Sequence, residues 1–262
     1  FQIWMRRGMA SKKRREFRDS WPISEVAGDR PRERQGWPDG KQFALVLTHD
    51  VDTARGQERC FELAAMERDL GFRSSFNFVP ERYDVSSRLR DTLTRWGFEV
   101  GVHGLNHDGK LFQSKTIFTE RAQKINRYLA DWDAVGFRSP AMHHNLDWIG
   151  DLNIEYDSST FDTDPFQPQP DAIETIFPFW VNGRSDRAPY VEMPCTMPQD
   201  FVLFTLLREK TNHIWEQKLE WIARKGGMAM MNTHPDYMHF GNGKQGLEAY
   251  PSEYYRNFLV HL

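Results

Sequence analysis

The sequence predicts an α/β protein in which parallel strands alternate with crossover helices, as in an α/β barrel. Short apolar runs typical of buried strands alternate with amphipathic segments through most of residues 41–235. The chain has 262 residues, a length at which such a barrel forms one domain. Ionisable residues follow several of the predicted strands, at the sheet edge where α/β barrels have their active sites.

Each element is predicted from its hydrophobic periodicity and from the residues that end it. The continuously apolar run 43–47 indicates a strand that is buried on both faces. Further strands are expected at 75–79, 98–102, 135–138, 154–156, 175–181, 190–193 and 228–232. Helices, several of which end at a glycine, are expected at 57–70, 86–96, 118–132, 146–152, 212–224 and 252–261. Thr119 is a candidate N-cap for the third of these helices.

The first forty residues differ from the rest of the chain in charge. Residues 1–40 are rich in Arg, Gly and Pro, and we expect a basic, irregular N-terminal arm before a single domain at 41–262. Such an arm could contact anionic glycan, lipid or nucleic acid, but its few apolar residues favour a solvated arm without a nucleic-acid partner. Because the chain ends at Leu262 inside a predicted helix, we expect the domain to be truncated there. The cations of the arm are Arg6, Arg7, Lys12, Lys13, Arg14, Arg15 and Arg18.

Composition argues against several classes of protein. No apolar run approaches the roughly 18–20 residues that a membrane-spanning helix needs. No apolar segment follows the N-terminal cations, as it would in a secretory signal. The two cysteines, Cys60 and Cys195, are too few for a disulfide framework, which fits a reducing compartment. We therefore expect a cytoplasmic protein without a membrane span, and the sequence does not predict its oligomeric state.

Two histidines follow the predicted strand 98–102. His103 and His107 are four residues apart, so on a helical turn they share one face and can reach one metal ion. Gly104 between them permits a tight exit from the strand. The alternative is that both are ordinary surface or core histidines, because two histidines at this spacing often bind no metal.

Two carboxylates lie at the end of the first predicted strand. Asp50 and Asp52 are two residues apart and share a face on an extended segment. Two unpaired carboxylates there would raise each other's pKa, and a metal ion between one of them and the two histidines would remove that cost. The other carboxylate would then be free to act as a base. The alternative is that both are helix caps or turn residues.

Four further residues extend the candidate site. Arg138 ends a predicted strand and is expected to pair with Asp50, or else to form a purely structural salt bridge. His234 follows the last predicted strand and could donate a proton to a leaving amine. Asp157 could pair with His234 or with substrate, or could be a turn residue. His143 could line the cleft or lie in a solvated loop.

Together these motifs resemble the polysaccharide deacetylase family, also called the NodB-homology or carbohydrate esterase family 4 group. The resemblance covers about residues 41–240. The sequence departs from the family pattern at two places. Gly104 stands where Ser or Thr is usual, and Ala141-Met142 stand where a tyrosine often follows the third motif. The matching motifs are T-H-D-V-D at 48–52, H-G-L-N-H at 103–107, R-S-P at 138–140 and the apolar strand that ends at His234.

The resemblance implies a distorted (β/α) barrel that holds one divalent metal ion, commonly zinc, with cobalt as an alternative. Asp50 would then be the base, Arg138 would orient it and His234 would be the acid. A backbone N–H near Ala141 could stabilise the oxyanion, and His143 could contact substrate. The metal ligands would be Asp52, His103 and His107.

The function that follows is hydrolysis of a non-peptide amide bond with the help of a metal ion. The leading expectation is N-deacetylation of an N-acetylated sugar in a glycan or glycan precursor, so that the partner is a carbohydrate. Alternatives are hydrolysis of a small cyclic amide, O-deacetylation, and a carbohydrate-binding domain with a structural metal. A structural zinc normally has four protein ligands, and the three good ligands found here favour an open catalytic site.

Overall fold

The computed structural model of the chain describes residues 2–32, 36–183, 187–241 and 245–262. Its strands are β1 (Ala44–Val51), β2 (Ser75–Phe78), β3 (Glu99–His103), β4 (Gly136–Arg138), β5 (Tyr156–Asp157), β6 (Phe179–Val181), β7 (Tyr190–Glu192), β8 (Met228–Thr233), β9 (Met238–His239) and β10 (Tyr250–Pro251). Its helices are α1 (Gln2–Glu16), α2 (Ala54–Asp69), α3 (Ser87–Arg95), α4 (Lys115–Trp132), α5 (Leu146–Ile149), α6 (His213–Lys225) and α7 (Glu253–His261). A π-helical segment lies at Phe201–Leu206.

Eight strands form one sheet in the order β6-β7-β5-β4-β3-β2-β1-β8. All neighbouring strands are parallel except β6 and β7, which are antiparallel. The strand β1 lies between β2 and β8, with Asp50 opposite Asn77 and Thr48 opposite Asn232. This register places the polar C-terminal ends of several strands at one edge of the sheet, as predicted from the sequence.

An irregular segment connects the two sides of the sheet and makes the barrel a distorted one. The backbone N–H of Cys195 donates to the carbonyl of Thr160, 2.9 Å away, just beyond β5. Two residues later, Met197 N–H donates to the carbonyl of Met230 in β8, at 3.0 Å. The segment thus lies between β5 and β8 where a further regular strand would stand in an ideal barrel. The expected distorted (β/α) barrel is confirmed.

The largest hydrophobic cluster packs helices α2, α3, α6 and α7 against the central strands. Its fully buried side chains include Phe76 of β2, Trp215 of α6 and Phe258 of α7. His49, which lies between the two motif aspartates, points into this cluster. Its ring nitrogens lie 2.7 Å from Thr233 Oγ1 and 2.9 Å from Glu67 Oε1. His49 is therefore a hydrogen-bonded core residue.

The expected N-cap of helix α4 is wrong. Helix α4 begins earlier than predicted, because the side chain of Ser114 caps it by accepting from Ile117 N–H at 3.2 Å. Thr119 therefore lies inside the helix and is not its N-cap.

The expected irregular arm is also wrong for residues 2–16, which form helix α1, while residues 1 and 33–35 of the arm lie outside the described residues. Helix α1 buries Ile3 and Ala10 and packs against the Phe201–Leu206 segment. Within the described residues, no helix has both the length and the apolar character needed to cross a membrane.

Candidate active site

The candidate site lies at the C-terminal edge of the central strands. Asp50 lies near the end of β1 and Asp52 just after it, while His103 is the last residue of β3. His107 follows in the loop after β3, and His234 follows β8. The parallel register of neighbouring strands brings these side chains to one edge of the sheet.

Three side chains meet at distances that suit a metal ion. Asp52 Oδ1 lies 3.4 Å from His103 Nε2 and 3.1 Å from His107 Nε2. The ligand atoms of the three residues all lie within 4.8 Å of one another. Ligands of a tetrahedral zinc ion lie about 3.3 Å apart, since each is about 2.0–2.1 Å from the metal. The described residues contain no other such cluster of three histidine, cysteine or carboxylate ligands.

The Asp52 carboxylate supports a metal at this position. Its Oδ1 atom is buried and has no hydrogen-bond partner among the described residues. A buried carboxylate oxygen without a donor is costly unless a cation satisfies it. The loop is held by Asp236, whose Oδ2 accepts from the Asp52 backbone N–H at 2.9 Å. The residues present therefore fit a divalent ion bound by Asp52, His103 and His107.

A hydrogen bond behind His103 fixes which of its nitrogens faces this position. His103 Nδ1 lies 3.1 Å from the backbone carbonyl oxygen of Arg138. A carbonyl can only accept, so Nδ1 carries the proton and Nε2 presents its lone pair toward Asp52. Orientation of a metal-binding imidazole by such an outer hydrogen bond is usual in metalloproteins.

The glycine of the second motif is required by its neighbours. Gly104 has a φ of 62°, in the left-handed region that glycine adopts most easily. A Cβ atom on Gly104 would lie 2.5 Å from Pro140 Cδ and 2.6 Å from Pro140 Cγ. The proline that follows Arg138-Ser139 therefore occupies the space where the usual Ser or Thr side chain would begin.

Replacing Gly104 with alanine is expected to destabilise the protein by about 1–3 kcal/mol, because strain and contact with Pro140 act together. The matched control is Gly109→Ala. Gly109 also has a positive φ, of 72°, but a Cβ there would meet nothing within 4 Å. Chemical denaturation of both variants measures the difference. Equal losses of stability would contradict the role assigned to Pro140.

Asp50 lies beside the metal ligands but is held by different partners. Its Oδ1 accepts from Asn77 Nδ2 at 3.1 Å, and its Oδ2 accepts from Asn232 Nδ2 at 2.7 Å. Its Oδ2 lies 3.8 Å from Nε2 of His103, a candidate metal ligand. Burial raises the pKa of the Asp50 carboxyl, but nearby positive charge, including that of the Arg138 guanidinium, outweighs burial and lowers the pKa below its usual value.

Arg138 lies near Asp50, as expected, but makes no hydrogen bond to it. Arg138 Nε lies 3.7 Å from Asp50 Oδ1, so the pair is electrostatic. The hydrogen bonds of the guanidinium go instead to Ser158 Oγ at 3.1 Å and Thr48 Oγ1 at 3.0 Å. The two asparagines orient Asp50, and sequence reasoning missed both. The available signal was that Asn77 and Asn232 are polar residues inside apolar strands.

His234 is paired with a carboxylate that the sequence analysis also missed. His234 Nδ1 lies 2.7 Å from Asp200 Oδ1, and Asp200 Oδ2 accepts from the His234 backbone N–H at 2.8 Å. The phenol of Tyr250 donates to the same Oδ2 at 2.9 Å. Burial lowers the pKa of His234, but the Asp200 carboxylate outweighs burial and raises it to about 10. His234 is thus protonated at neutral pH, as a proton donor must be.

The Asp200–His234 pair predicts an effect on the pH dependence of activity. The raised pKa keeps the proton on His234 up to about pH 10, so loss of the Asp200 charge should let that proton leave at lower pH. In Asp200→Asn the alkaline limb of the pH–rate profile should move down toward the ordinary histidine pKa of about 6.5. Tyr250→Phe is the control, because it removes a hydrogen bond to Asp200 but keeps the carboxylate. An unchanged alkaline limb in Asp200→Asn would contradict this role.

The structure places the remaining three candidate residues, Asp157, Ala141 and His143, in different surroundings. Asp157 does not contact His234: it is fully buried, its Oδ1 accepts from Ser159 Oγ at 2.6 Å, and burial raises its pKa beside Glu192. Of the alternatives for Asp157, pairing with His234 is not what the structure shows. Ala141 lines the cleft with a left-handed φ of 55°. His143 lines a neighbouring cavity, which shares His107 with the cleft.

Comparison with solved structures decides the fold. No protein-family profile matches the sequence, and no curated protein matches it. A protein assigned as a polysaccharide deacetylase in Mycobacterium smegmatis superposes with a TM-score of 0.65 at 16% identity, over 86% of this chain and 85% of that one. One assigned likewise in Pseudomonas aeruginosa gives 0.60 at 13% identity, over 86% of each chain. The fold is that of the polysaccharide deacetylases. Puue allantoinase shares it, with a TM-score of 0.63 at 11% identity over 92% and 91% of the two chains.

On this polysaccharide deacetylase fold, three adjoining cavities form a furrow across the candidate site. The central cleft, of about 200 Å³, contains both aspartates, both metal-site histidines and His234. On one side it shares His107 with the cavity of about 360 Å³ that contains His143. On the other it shares Arg6 and Phe166 with a groove of about 500 Å³ along helix α1. Two further cavities thus adjoin the cleft that contains the candidate metal ligands.

Proposed function

We propose that the chain is a metal-dependent amide hydrolase that removes the acetyl group from an N-acetylated sugar in a glycan or glycan precursor. The observation that carries this proposal is the buried Asp52 Oδ1 between two imidazole nitrogens, with a second carboxylate held beside it. Asp50 is available as a base because its oxygens bind asparagine amides and lie farther from the histidines. The deacetylase fold agrees with this assignment.

The ligand set indicates a catalytic metal. Asp52, His103 and His107 are three protein ligands, whereas a structural zinc usually has four. When bound, a divalent ion such as zinc or cobalt would polarise the amide carbonyl and lower the pKa of a coordinated water. Nitrogen and oxygen ligands of this kind suit zinc.

Asp50 is assigned to accept the proton of the attacking water. Its lowered pKa keeps it ionised at neutral pH, and Asn77 and Asn232 fix the directions of its two oxygens. Each oxygen retains a lone pair that can accept a further hydrogen bond. Arg138 contributes positive charge 3.7 Å away without occupying that lone pair by a fork.

His234 is assigned to donate a proton to the leaving amine. Asp200 holds Nδ1, so Nε2 is the nitrogen that can face the substrate. The positive charge of His234 would also stabilise the oxyanion until the proton is transferred. We assign a supporting role in oxyanion binding to the backbone near Ala141, which lines the same cleft.

The shape of the furrow supports a glycan substrate. Sugars beyond the one that reacts could lie in the cavities on either side of the metal site. Tyr237 lines the central cleft and offers an aromatic surface beside His234, 5.4 Å between ring centres. A second candidate, hydrolysis of a small cyclic amide, is favoured by the likeness to allantoinase over 92% of the chain. That reaction would need only the central cleft.

The test is acetate release by metal-stripped protein that has been resupplied with Zn²⁺ or Co²⁺. N-acetylglucosamine oligomers and N-acetylated sugar phosphates are the deacetylation substrates, and allantoin represents the cyclic amides. Metal-dependent acetate release supports the first candidate. Turnover of allantoin without acetate release from any sugar would replace it with the second candidate.

A further inference from the structure

Arg6 of helix α1 lies in the wall of the catalytic cleft, far along the chain from the other site residues. Its guanidinium carbon lies 4.6 Å from the centre of the Phe201 ring. The Phe201 ring is 4.7 Å from Tyr237, and the Tyr237 ring is 5.4 Å from His234. A row of rings in tilted contact therefore connects Arg6 with the proposed proton donor, and Arg6 lines the same cleft as the metal ligands.

Helix α1 is fixed in place by residues other than Arg6. Arg7 donates to the backbone carbonyls of Thr205 at 2.9 Å and Leu247 at 2.7 Å. Arg14 forms a salt bridge with Glu209. Buried Ile3 adds apolar contact. The position of Arg6 in the cleft therefore follows from the docking of the whole helix.

The positive charge of Arg6 has no counterpart in the part of the chain that the structure describes. Within the described ranges, Arg6 forms no ion pair and no hydrogen bond, and its contact with Phe201 is a cation–π interaction. Neither cleft carboxylate pairs with Arg6, since Asp50 accepts from two asparagines and Asp52 lies beside the two histidines. An arginine that stands free in a binding cleft is suited to bidentate binding of a phosphate or carboxylate.

The groove beside the cleft continues this positive character. Arg6 is shared between the two, and the groove is further lined by Lys12, Lys13 and Glu16 of α1, so its cations outnumber its one carboxylate. Its opposite wall is apolar and includes Phe166 and Leu206. The groove therefore offers cations along one side and an apolar surface along the other.

We propose that Arg6 makes this site selective for substrates that carry an anionic group, a phosphate or a carboxylate, on the acetylated sugar or on the unit attached to it. This inference rests on the proposed function, because it names the substrate class of the same site. Arg6 binds the anionic group while Asp50 and His234 act on the amide. The groove along α1 receives the portion of the substrate beyond that group.

The test compares anionic and neutral substrates in Arg6→Gln and in the matched control Arg15→Gln. Arg15 is exposed and lies nine residues from Arg6, on the opposite side of the helix, so both variants lose one charge from α1. The substrates are N-acetylglucosamine, its 1-phosphate and 6-phosphate, and N-acetylmuramic acid as the carboxylate. In Arg6→Gln the ratio of kcat/KM for anionic over neutral substrate should fall about 10- to 100-fold, mostly through KM. Arg15→Gln should leave that ratio unchanged.

Comparison of the phosphate and carboxylate substrates shows which group Arg6 prefers. Calorimetric binding of the same sugars to wild type and Arg6→Gln tests the inference independently of turnover. An equal Kd for the anionic sugars in the two proteins would overturn it, as would an equal fall of the ratio in Arg15→Gln. Failure of every substrate to release acetate, with Arg6-dependent binding of the anionic sugars, would overturn the proposed reaction and leave the anion site standing.

Discussion

Replacing Asp52 with alanine is expected to abolish both metal binding and activity. The substitution leaves two imidazoles as the only protein ligands, and the affinity for Zn²⁺ should fall by more than the roughly 10–100-fold that loss of an outer-shell partner costs. Activity should fall in parallel because the same ion activates the amide and the water. Zinc titration by calorimetry, together with acetate release, measures both effects.

The matched control for this prediction is Asp69→Ala. The side chain of Asp69 is 71% exposed and lies at the end of helix α2, so the same chemical change there should alter neither zinc binding nor rate. If Asp52→Ala still bound one equivalent of zinc with undiminished affinity, Asp52 would not be the ligand. Asp50, 3.8 Å from His103, would then be the carboxylate to examine.

Replacing Asp50 with asparagine is expected to separate chemistry from metal binding. Removal of a general base typically costs about 10²–10⁴ in rate, and kcat should fall by that amount while zinc remains bound at one equivalent. The asparagine side chain has nearly the same shape, but its amide nitrogen would face one of the donors Asn77 and Asn232. Some loss of stability is therefore expected and is measured separately by Tm.

Two outcomes would contradict the assignment of Asp50. A kcat close to that of the wild type would show that another group accepts the proton. Loss of zinc together with activity would show that Asp50 binds the metal. Neither outcome is expected, because Asp52 Oδ1 lies 3.4 Å from His103 Nε2 and 3.1 Å from His107 Nε2.

The sequence was informative about the metal site because parallel strands bring their C-terminal ends together. Asp52, His103 and His107 each follow a strand that was predicted from its apolar residues, and the structure brings them together. The surroundings of Asp50 were less predictable. Which residues face Asp50 depends on the register between neighbouring strands, which places Asn77 opposite it, and no sequence pattern showed that register.

Two other features could not be predicted for a related reason. Helix α1 buries only Ile3 and Ala10, so its sequence lacks the apolar stripe that identifies an amphipathic helix. It is held instead by cations that bind carbonyls and a carboxylate distant in sequence. Asp200 contacts His234, which is 34 residues away in the sequence. Because Asp200 ends a proline-rich stretch without regular periodicity, no sequence pattern predicted this contact.

The most direct test of the central claim is to locate the metal by anomalous scattering from crystals grown with Zn²⁺. We expect one strong peak at the zinc edge, from an ion bound by Asp52 Oδ1 and by the Nε2 atoms of His103 and His107. Asp50 should remain hydrogen-bonded to its asparagines and outside the coordination shell. A peak coordinated by Asp50 instead of Asp52, or no peak at these residues, would contradict the account.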